Sequence, residues 1–345
     1  MEVRVSGRPV VGLLWLIVAG VMQGAFPLPM KFAGKWKWEH VWGWYSLLAF
    51  VVLPVAIAWA SVPHLGRLYA GIAPPASLFR LALFGILWGS GSVLYGLGID
   101  ALGMALGFSI MTALTTALGA LVPLAVLTPD LLWRRSGLLL IAGNLVTIAG
   151  VAVCAYAGAL RDRQTGANAA PLLGPKRSFP VALAICVVAG ALSAVFNFGY
   201  AFGEPVAKAA RDLGANGDDA LNAVWMVMLP AGGLINLGYC VYILSKNQSL
   251  RQFREARALE WSSGAVMAVL WTGSVIVYGW GANALGRLGP TLGWSLWNAV
   301  LIGATVACGL ATREWKGAAG RPLRWLAGGI MILIAGMFVL GAGVE

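Results

Sequence analysis

The sequence predicts an all-α integral membrane protein of about ten transmembrane helices, arranged as a 5+5 inverted repeat. Three observations predict it. Hydrophobic residues make up 59% of the 345 residues and charged residues only 11%, against roughly 45–50% and 25% for a soluble domain. Charge is confined to short islands, and the apolar runs between them reach the ~20 residues that a helix needs to cross a ~30 Å hydrocarbon core. A motif from the first half also recurs in the second. Helices are the only fit to such runs, because lipid offers no partner to an unpaired backbone amide.

Taken in order, Arg4 and Arg8 precede a first apolar run, Val10–Met30, which Pro27 and Pro29 kink at its end. Gln23 to Pro29 lacks a small-x-small cleavage site, so the run reads as a first span rather than a signal peptide. Further spans follow at Val41–Ser61, Phe79–Ile99, Gly103–Leu127 and Gly137–Gly158. Pro54 and Pro123 lie inside the second and fourth. A polar stretch at 161–178, with Arg161, Asp162, Arg163, Gly174 and Pro175, has the composition of a linker. Phe179–Phe202, Leu221–Leu244, Ser262–Ala282, Pro290–Ala311 and Leu323–Gly343 complete the set. The chain thus divides into a first five-helix repeat at 1–160, the linker at 161–178, and a second repeat at 179–345.

The recurrent motif supports that division. Leu87, Trp88, Tyr95, Gly96, Gly98, Ala101, Leu102 and Gly103 return as Leu270, Trp271, Tyr278, Gly279, Gly281, Ala284, Leu285 and Gly286 at one constant offset. A second match sets Gly143, Ile148, Ala149 and Gly150 against Gly329, Ile334, Ala335 and Gly336. Helix 3 is thereby paired with helix 8, and helix 5 with helix 10. Five is odd, so the second half enters the bilayer from the opposite side. Inverted repeats of this kind build secondary transporters, with the solute site near the midplane where the halves meet.

The net charge of +11 is spread over loops rather than gathered on one helix face, which argues for membrane topology and anionic headgroups and against nucleic acid. Nine Lys and Arg fall on the face bearing the termini and fifteen on the other, a count that places the termini outside. No HExxH, GxSxG or Walker-type GxxxxGK[ST] occurs. With two histidines and four cysteines that all fall inside spans, no metal site or cofactor is expected. The expected class is therefore not an enzyme, and the chain has no sizeable soluble region through which a receptor would signal.

The spans do carry uncharged polarity beside aromatic rings. Hydroxyl and amide groups bond sugar hydroxyls in both directions, and an indole face packs on the C–H face of a sugar ring. Gln23, Trp88, Ser92, Tyr95, Asn197, Trp271 and Tyr278, on helices 1, 3, 6 and 8, are the expected substrate contacts. Taken singly, each of these polar groups is as well suited to joining helices. Acidic residues near the membrane, the candidates for proton coupling, are Glu39, Asp100, Glu204 and Glu314. Glu39 leads them, with pairing to Lys35 as its alternative role.

Pro29-Met30-Lys31, Lys35-Trp36-Lys37-Trp38-Glu39 and Trp42 resemble the first loop of the L-rhamnose/proton symporters, a bacterial branch of the drug/metabolite transporter superfamily. The resemblance continues at Leu53-Pro54, at Trp88-Gly89-x-Gly91 with Tyr95-Gly96-Leu97, and at Leu102-Gly103-Met104 with Gly107. It returns at Gly232-Gly233-Leu234-Ile235-Asn236-Leu237-Gly238, Tyr278-x-Trp280-Gly281, Glu314-Trp315 and Gly320-Arg321-Pro322. It implies a ten-helix 5+5 fold in the bacterial inner membrane and proton-coupled uptake of a deoxy sugar such as L-rhamnose. Carriage of another small metabolite, as elsewhere in the superfamily, and a non-transporting receptor or scaffold are the alternatives. Its partners would be the sugar, protons and the lipid bilayer. The superfamily's habit of cytoplasmic termini runs against the Lys and Arg count.

Overall fold

The computed structural model describes residues 9–166 and 178–343, which are helical with short connections and contain no strand. Ten of its helices are long and apolar enough to cross a membrane. Numbered as spans 1 to 10, they run Val10–Phe32, Trp38–Ser61, Pro75–Ile99, Leu106–Leu127, Arg135–Thr165, Phe179–Asp212, Asp219–Lys246, Ala258–Ala284, Gly286–Ala311 and Arg321–Gly341. Span 5 stays helical to Thr165, so the first residues of the expected linker prolong that helix. Gly174, Pro175 and most of the rest of the stretch lie outside the described residues, as do Arg4 and Arg8. Spans 1 and 10 respectively begin and end on one face of the membrane, called the terminal face below.

Spans 3 and 4 share one continuous helical backbone, Pro75–Leu127, which nevertheless doubles back. Tyr95 meets Thr112 at 2.6 Å between their hydroxyl oxygens, a separation that a straight helix would stretch to about 25 Å. The close return requires glycine: a Cβ on Gly107 would lie 2.8 Å from the carbonyl oxygen of Gly98.

Small residues also set how the spans meet. Span 1 lies against spans 8 and 9, and span 6 against spans 3 and 4. Span 3 lies on span 7, and span 2 on spans 7 and 8. Spans 5 and 10 form a local two-fold. Gly143 abuts Leu340, Gly150 abuts Leu333, Gly336 abuts Thr147 and Gly329 abuts Cys154. Numbers rise along one helix as they fall along the other, so the pair is antiparallel. Exchanging the recurrent glycines, Gly143 for Gly329 and Gly150 for Gly336, turns the first two contacts into the last two.

Among the helix irregularities of the described residues, three free backbone carbonyls that side chains of other spans reach. Pro123 has no N–H to give Gly119 four residues back. In span 2 a π-helical turn at Leu48–Val52, ahead of Pro54, sends the Leu53 N–H to the Leu48 carbonyl and leaves Ala49 without it. Another π turn, Gly289–Gly293, lies near the start of span 9, and there the Trp294 N–H goes to Thr291 instead of Pro290. Side chains from other spans supply the missing donors. Thr272 Oγ1 donates to Ala49 O at 3.2 Å, and Asn197 Nδ2 donates to both Gly119 O at 2.8 Å and Pro290 O at 2.6 Å. Asn197→Ala leaves two buried carbonyls bare, at about 1–3 kcal/mol each. An SDS or thermal unfolding titration of the purified chain is expected to show a loss of about 2–6 kcal/mol.

Candidate functional site

The sequence-predicted residues fall into three neighbouring groups along the interface between the first five spans and the last five. At its middle, Trp88 of span 3 and Trp271 of span 8 stack with centroids 5.7 Å apart and planes 28° apart. These two occupy matching positions in the recurrent motif. Phe50, carried by the π turn of span 2, stands edge-on to both, at 5.1 Å and 4.8 Å. Phe196 of span 6 closes the other side and stacks on Trp225 of span 7 at 5.2 Å. All five rings are buried. Gln23 is buried too, and its Oε1 has no hydrogen-bond partner among the described residues.

Toward the terminal face the rings continue. Trp297 of span 9 connects Phe196 to Tyr278, which in turn packs on Tyr200 at 5.5 Å. The Tyr278 hydroxyl donates to Asn197 Oδ1 at 2.6 Å. Both amide hydrogens of Asn197 are spent on the two backbone carbonyls above, so it offers a ligand at most one acceptor lone pair. Ser92 donates to Asn236 Oδ1 at 2.9 Å, an oxygen shared with the Trp42 indole at 3.3 Å. Tyr95 stands apart from Trp88, beside Met111, Cys186 and Ala189, with its hydroxyl held by Thr112. The structure therefore brings Trp88, Trp271, Asn197 and Tyr278 into one file and sets Tyr95 beside it.

The file ends at a vestibule of about 1230 Å3 that opens on the terminal face, beyond the roughly 300–1,000 Å3 of closed small-molecule pockets. Trp15, Tyr200, Trp280 and Asn283 line its inner part. Its rim carries the short helix Glu204–Asp212 and the start of span 7. Ion pairs offset much of the rim charge: Glu204 with Arg211, Lys208 with Asp212, and Arg287 with Asp130. Asp218 and Asp219 make no ion pair among the described residues, so the rim is weakly acidic.

The opposite face is shut. Trp36 packs edge-on to Phe253 at 5.2 Å and to Trp261 at 4.8 Å. Glu39, buried at the start of span 2, accepts hydrogen bonds from Asn247 Nδ2 at 3.0 Å and Ser249 Oγ at 3.2 Å. His40 Nε2 donates to the Ser249 carbonyl at 2.9 Å, and its buried Nδ1 has no partner among the described residues. Two titratable side chains thus clasp the connection between spans 7 and 8 to the head of span 2. Lys35 does not pair with Glu39; its backbone N–H points to Glu260 Oε1 at 3.4 Å.

The other acidic candidates sit differently. Glu204 is exposed at the vestibule rim and bound to Arg211. Glu314 pairs with Lys31 and lies 3.7 Å from Arg161, partly exposed, where ion pairs contribute about 0–1 kcal/mol. Asp100 is on the span 3–4 helix, but its side chain lies outside the described residues. Sequence reasoning passed over Glu260, a buried carboxylate that accepts from the Arg257 N–H at 3.0 Å and caps span 8. Only half of its signal is in the sequence, since Glu260 stands three residues into the helix but Arg257 takes the place of the Ser or Thr that completes a capping box.

The family model for the L-rhamnose-proton symport protein matches residues 5–345. The chain belongs to this family. An L-rhamnose-proton symporter of Pectobacterium atrosepticum is 30% identical across 98% of this chain and 99% of its own length. Those of Yersinia pestis and Yersinia pseudotuberculosis are 29% identical across 97% of this chain and 98% of theirs. The symport family match runs through the vestibule, the ring file and the closed face alike. Its members are symporters, not enzymes.

The ring file makes a stability claim. Trp88→Ala and Trp271→Ala are each expected to cost about 3–5 kcal/mol. In the double-mutant cycle, the stacking should appear as a coupling of about 0.5–1.5 kcal/mol. Denaturation of the four proteins in detergent measures it, and strict additivity would contradict the stacked geometry.

Proposed function

We propose that the chain is a secondary active transporter that carries L-rhamnose, together with protons, across the bacterial inner membrane. The observation that carries this reading is the ring file from Tyr200 through Tyr278, Trp297, Phe196, Trp88 and Trp271 to Phe50, lying between the halves and beginning at the vestibule. Aromatic faces suit the C–H face of a neutral sugar ring. The family membership and the names of its relatives support L-rhamnose as that sugar. The weakly acidic rim and the uncharged file give no cationic cradle to an anionic solute.

The 5+5 inverted repeat and the place in the drug/metabolite transporter superfamily belong to the same proposal. The two-fold contacts of spans 5 and 10 support the first, as does the stacking of the motif-related Trp88 and Trp271 on each other. In such an architecture, opening one face while closing the other is a rocking of equivalent halves about the midplane. The vestibule with a shut opposite face is one end of that motion. The π turns at Leu48–Val52 and Gly289–Gly293 are its natural hinges, since strained helical turns yield first.

Coupling is assigned to Glu39, with Glu204, Glu314 and Asp100 as the lesser candidates. An ionised carboxylate accepts from both Asn247 and Ser249; protonation turns one oxygen into a donor and weakens the clasp that shuts the opposite face. Proton uptake and opening would then be one event. Sugar contacts are assigned to Gln23, Trp88, Ser92, Tyr95, Trp271 and Tyr278, with Asn197 confined to its one spare acceptor.

Proteoliposome assays test this directly. Labelled L-rhamnose is expected to show counterflow, and accumulation under an imposed proton gradient. Glu39→Gln keeps an amide oxygen for Asn247 and Ser249, and it should abolish accumulation while leaving counterflow largely intact. Full accumulation in that variant would remove Glu39 from the coupling step.

A further inference from the structure

The vestibule has more than an opening's chemistry at its inner end. Trp15 of span 1 and Trp280 of span 8 meet edge to face, with centroids 5.4 Å apart and planes at 74°. Trp15 keeps 38% of its surface exposed. Two indoles set nearly at right angles form a corner, offering a ring face and a ring edge to the same small solute.

The polar groups beside this corner are unspent. Trp280 Nε1 is buried and has no hydrogen-bond partner among the described residues, a state that buried donors rarely keep. The Tyr200 hydroxyl donates to Asn283 Oδ1 at 3.0 Å, which leaves the Asn283 carboxamide hydrogens without a partner among the described residues. Free N–H donors on Trp280 and Asn283, a phenol oxygen on Tyr200 that still accepts, and two indoles make a set that recognises hydroxyl groups on an apolar ring. No lining residue here is one of the sequence-predicted contacts, and the site is separated from Trp88 and Trp271 by the buried layer of Tyr278 and Trp297.

We propose that Trp15, Tyr200, Trp280 and Asn283 form a second binding site, an entry station in the vestibule for one neutral pyranose, occupied before the sugar reaches the midplane rings. The proposal rests on the neutral-sugar reading above, which it deepens by naming the residues that first select the substrate. Glu204, paired with Arg211, and Asp218, which makes no ion pair among the described residues, lie close enough to Tyr200 to act on it electrostatically, but the four station residues carry no charge themselves, so selection at the station depends first on hydroxyl geometry and ring stacking.

Isothermal titration of the purified full-length chain tests it, using L-rhamnose, a panel of other neutral monosaccharides, and tetramethylammonium as a cationic probe of the indole corner. Trp280→Phe keeps a ring and removes the donor; Asn283→Gln keeps the amide and displaces it. Each is expected to weaken sugar binding about five- to tenfold, with melting temperature close to wild type. Dissociation constants within twofold of wild type in both variants would overturn the station and leave the transport reading standing. If wild type binds another neutral monosaccharide but not L-rhamnose, and both variants lose that binding, the station stands and the assignment of rhamnose falls. Binding of tetramethylammonium with no response to any sugar would overturn the station.

Discussion

A membrane interior offers little water with which to repair a broken helix, so a carbonyl freed by a proline or a π turn is costly until a neighbouring group reaches it, and a side chain on another span is one source of that donor. In this protein those donors come from other spans, and two of the bonds, Asn197 to Gly119 and Thr272 to Ala49, join the first five spans to the last five. Asn197 of span 6 reaches the carbonyl that Pro123 strands in span 4 and the Pro290 carbonyl in the π turn of span 9. Thr272 of span 8 does the same for Ala49 in span 2. Asn236 of span 7 donates to its own helix at Gly232 and to Gly89 of span 3 while gathering Ser92 and Trp42 on its oxygen. The irregular turns that could move are thereby held at defined positions by single polar side chains.

Around those points the rings do the filling. Phe50, Trp88, Phe196, Trp225 and Trp271 are all buried and fill the middle of the described part of the molecule, and each aromatic pair adds about 0.5–1.5 kcal/mol beyond its buried area. That is enough to seal the axis and small enough to be exchanged for contacts with a bound ring. Passage therefore requires the rings to part, and the ring borne on the π turn of span 2, Phe50, is the one whose backbone is least regular. The closed face adds a second kind of seal, in which hydrogen bonds to Glu39 and from His40 take the place of ring contacts.

Much of this was legible in the sequence. Span positions followed from apolar length alone, and the recurrent Leu-Trp and Tyr-Gly-x-Gly frame pointed to Trp88 and Trp271 as partners before their stacking was seen. The Lys-Trp-x-Trp-Glu segment singled out Glu39. Its partners were not legible, because Asn247 and Ser249 are some 200 residues away and carry no pattern of their own. Phe50, Phe196 and Tyr200 were hidden among many apolar residues of equal hydropathy. Tyr95 shows the limit of motif reasoning: it repeats as Tyr278, yet the backward turn of span 4 gives it Thr112 as a partner while Tyr278 meets Asn197. Repetition fixes the frame, and the neighbours contributed by other helices decide the chemistry.

The central claim is that sugar and proton act on one clasp, opening the face at Glu39 as the vestibule closes. Pulsed electron resonance distances between spin labels measure it most directly, with one pair at Lys37 and Arg251 across the shut face and another at Lys208 and Arg287 across the vestibule rim. With L-rhamnose at acidic pH, the first pair is predicted to gain a longer distance and the second a shorter one, in proportion to each other. Distances that stay fixed at both faces in a preparation that accumulates sugar, or that lengthen at both together, would contradict the account.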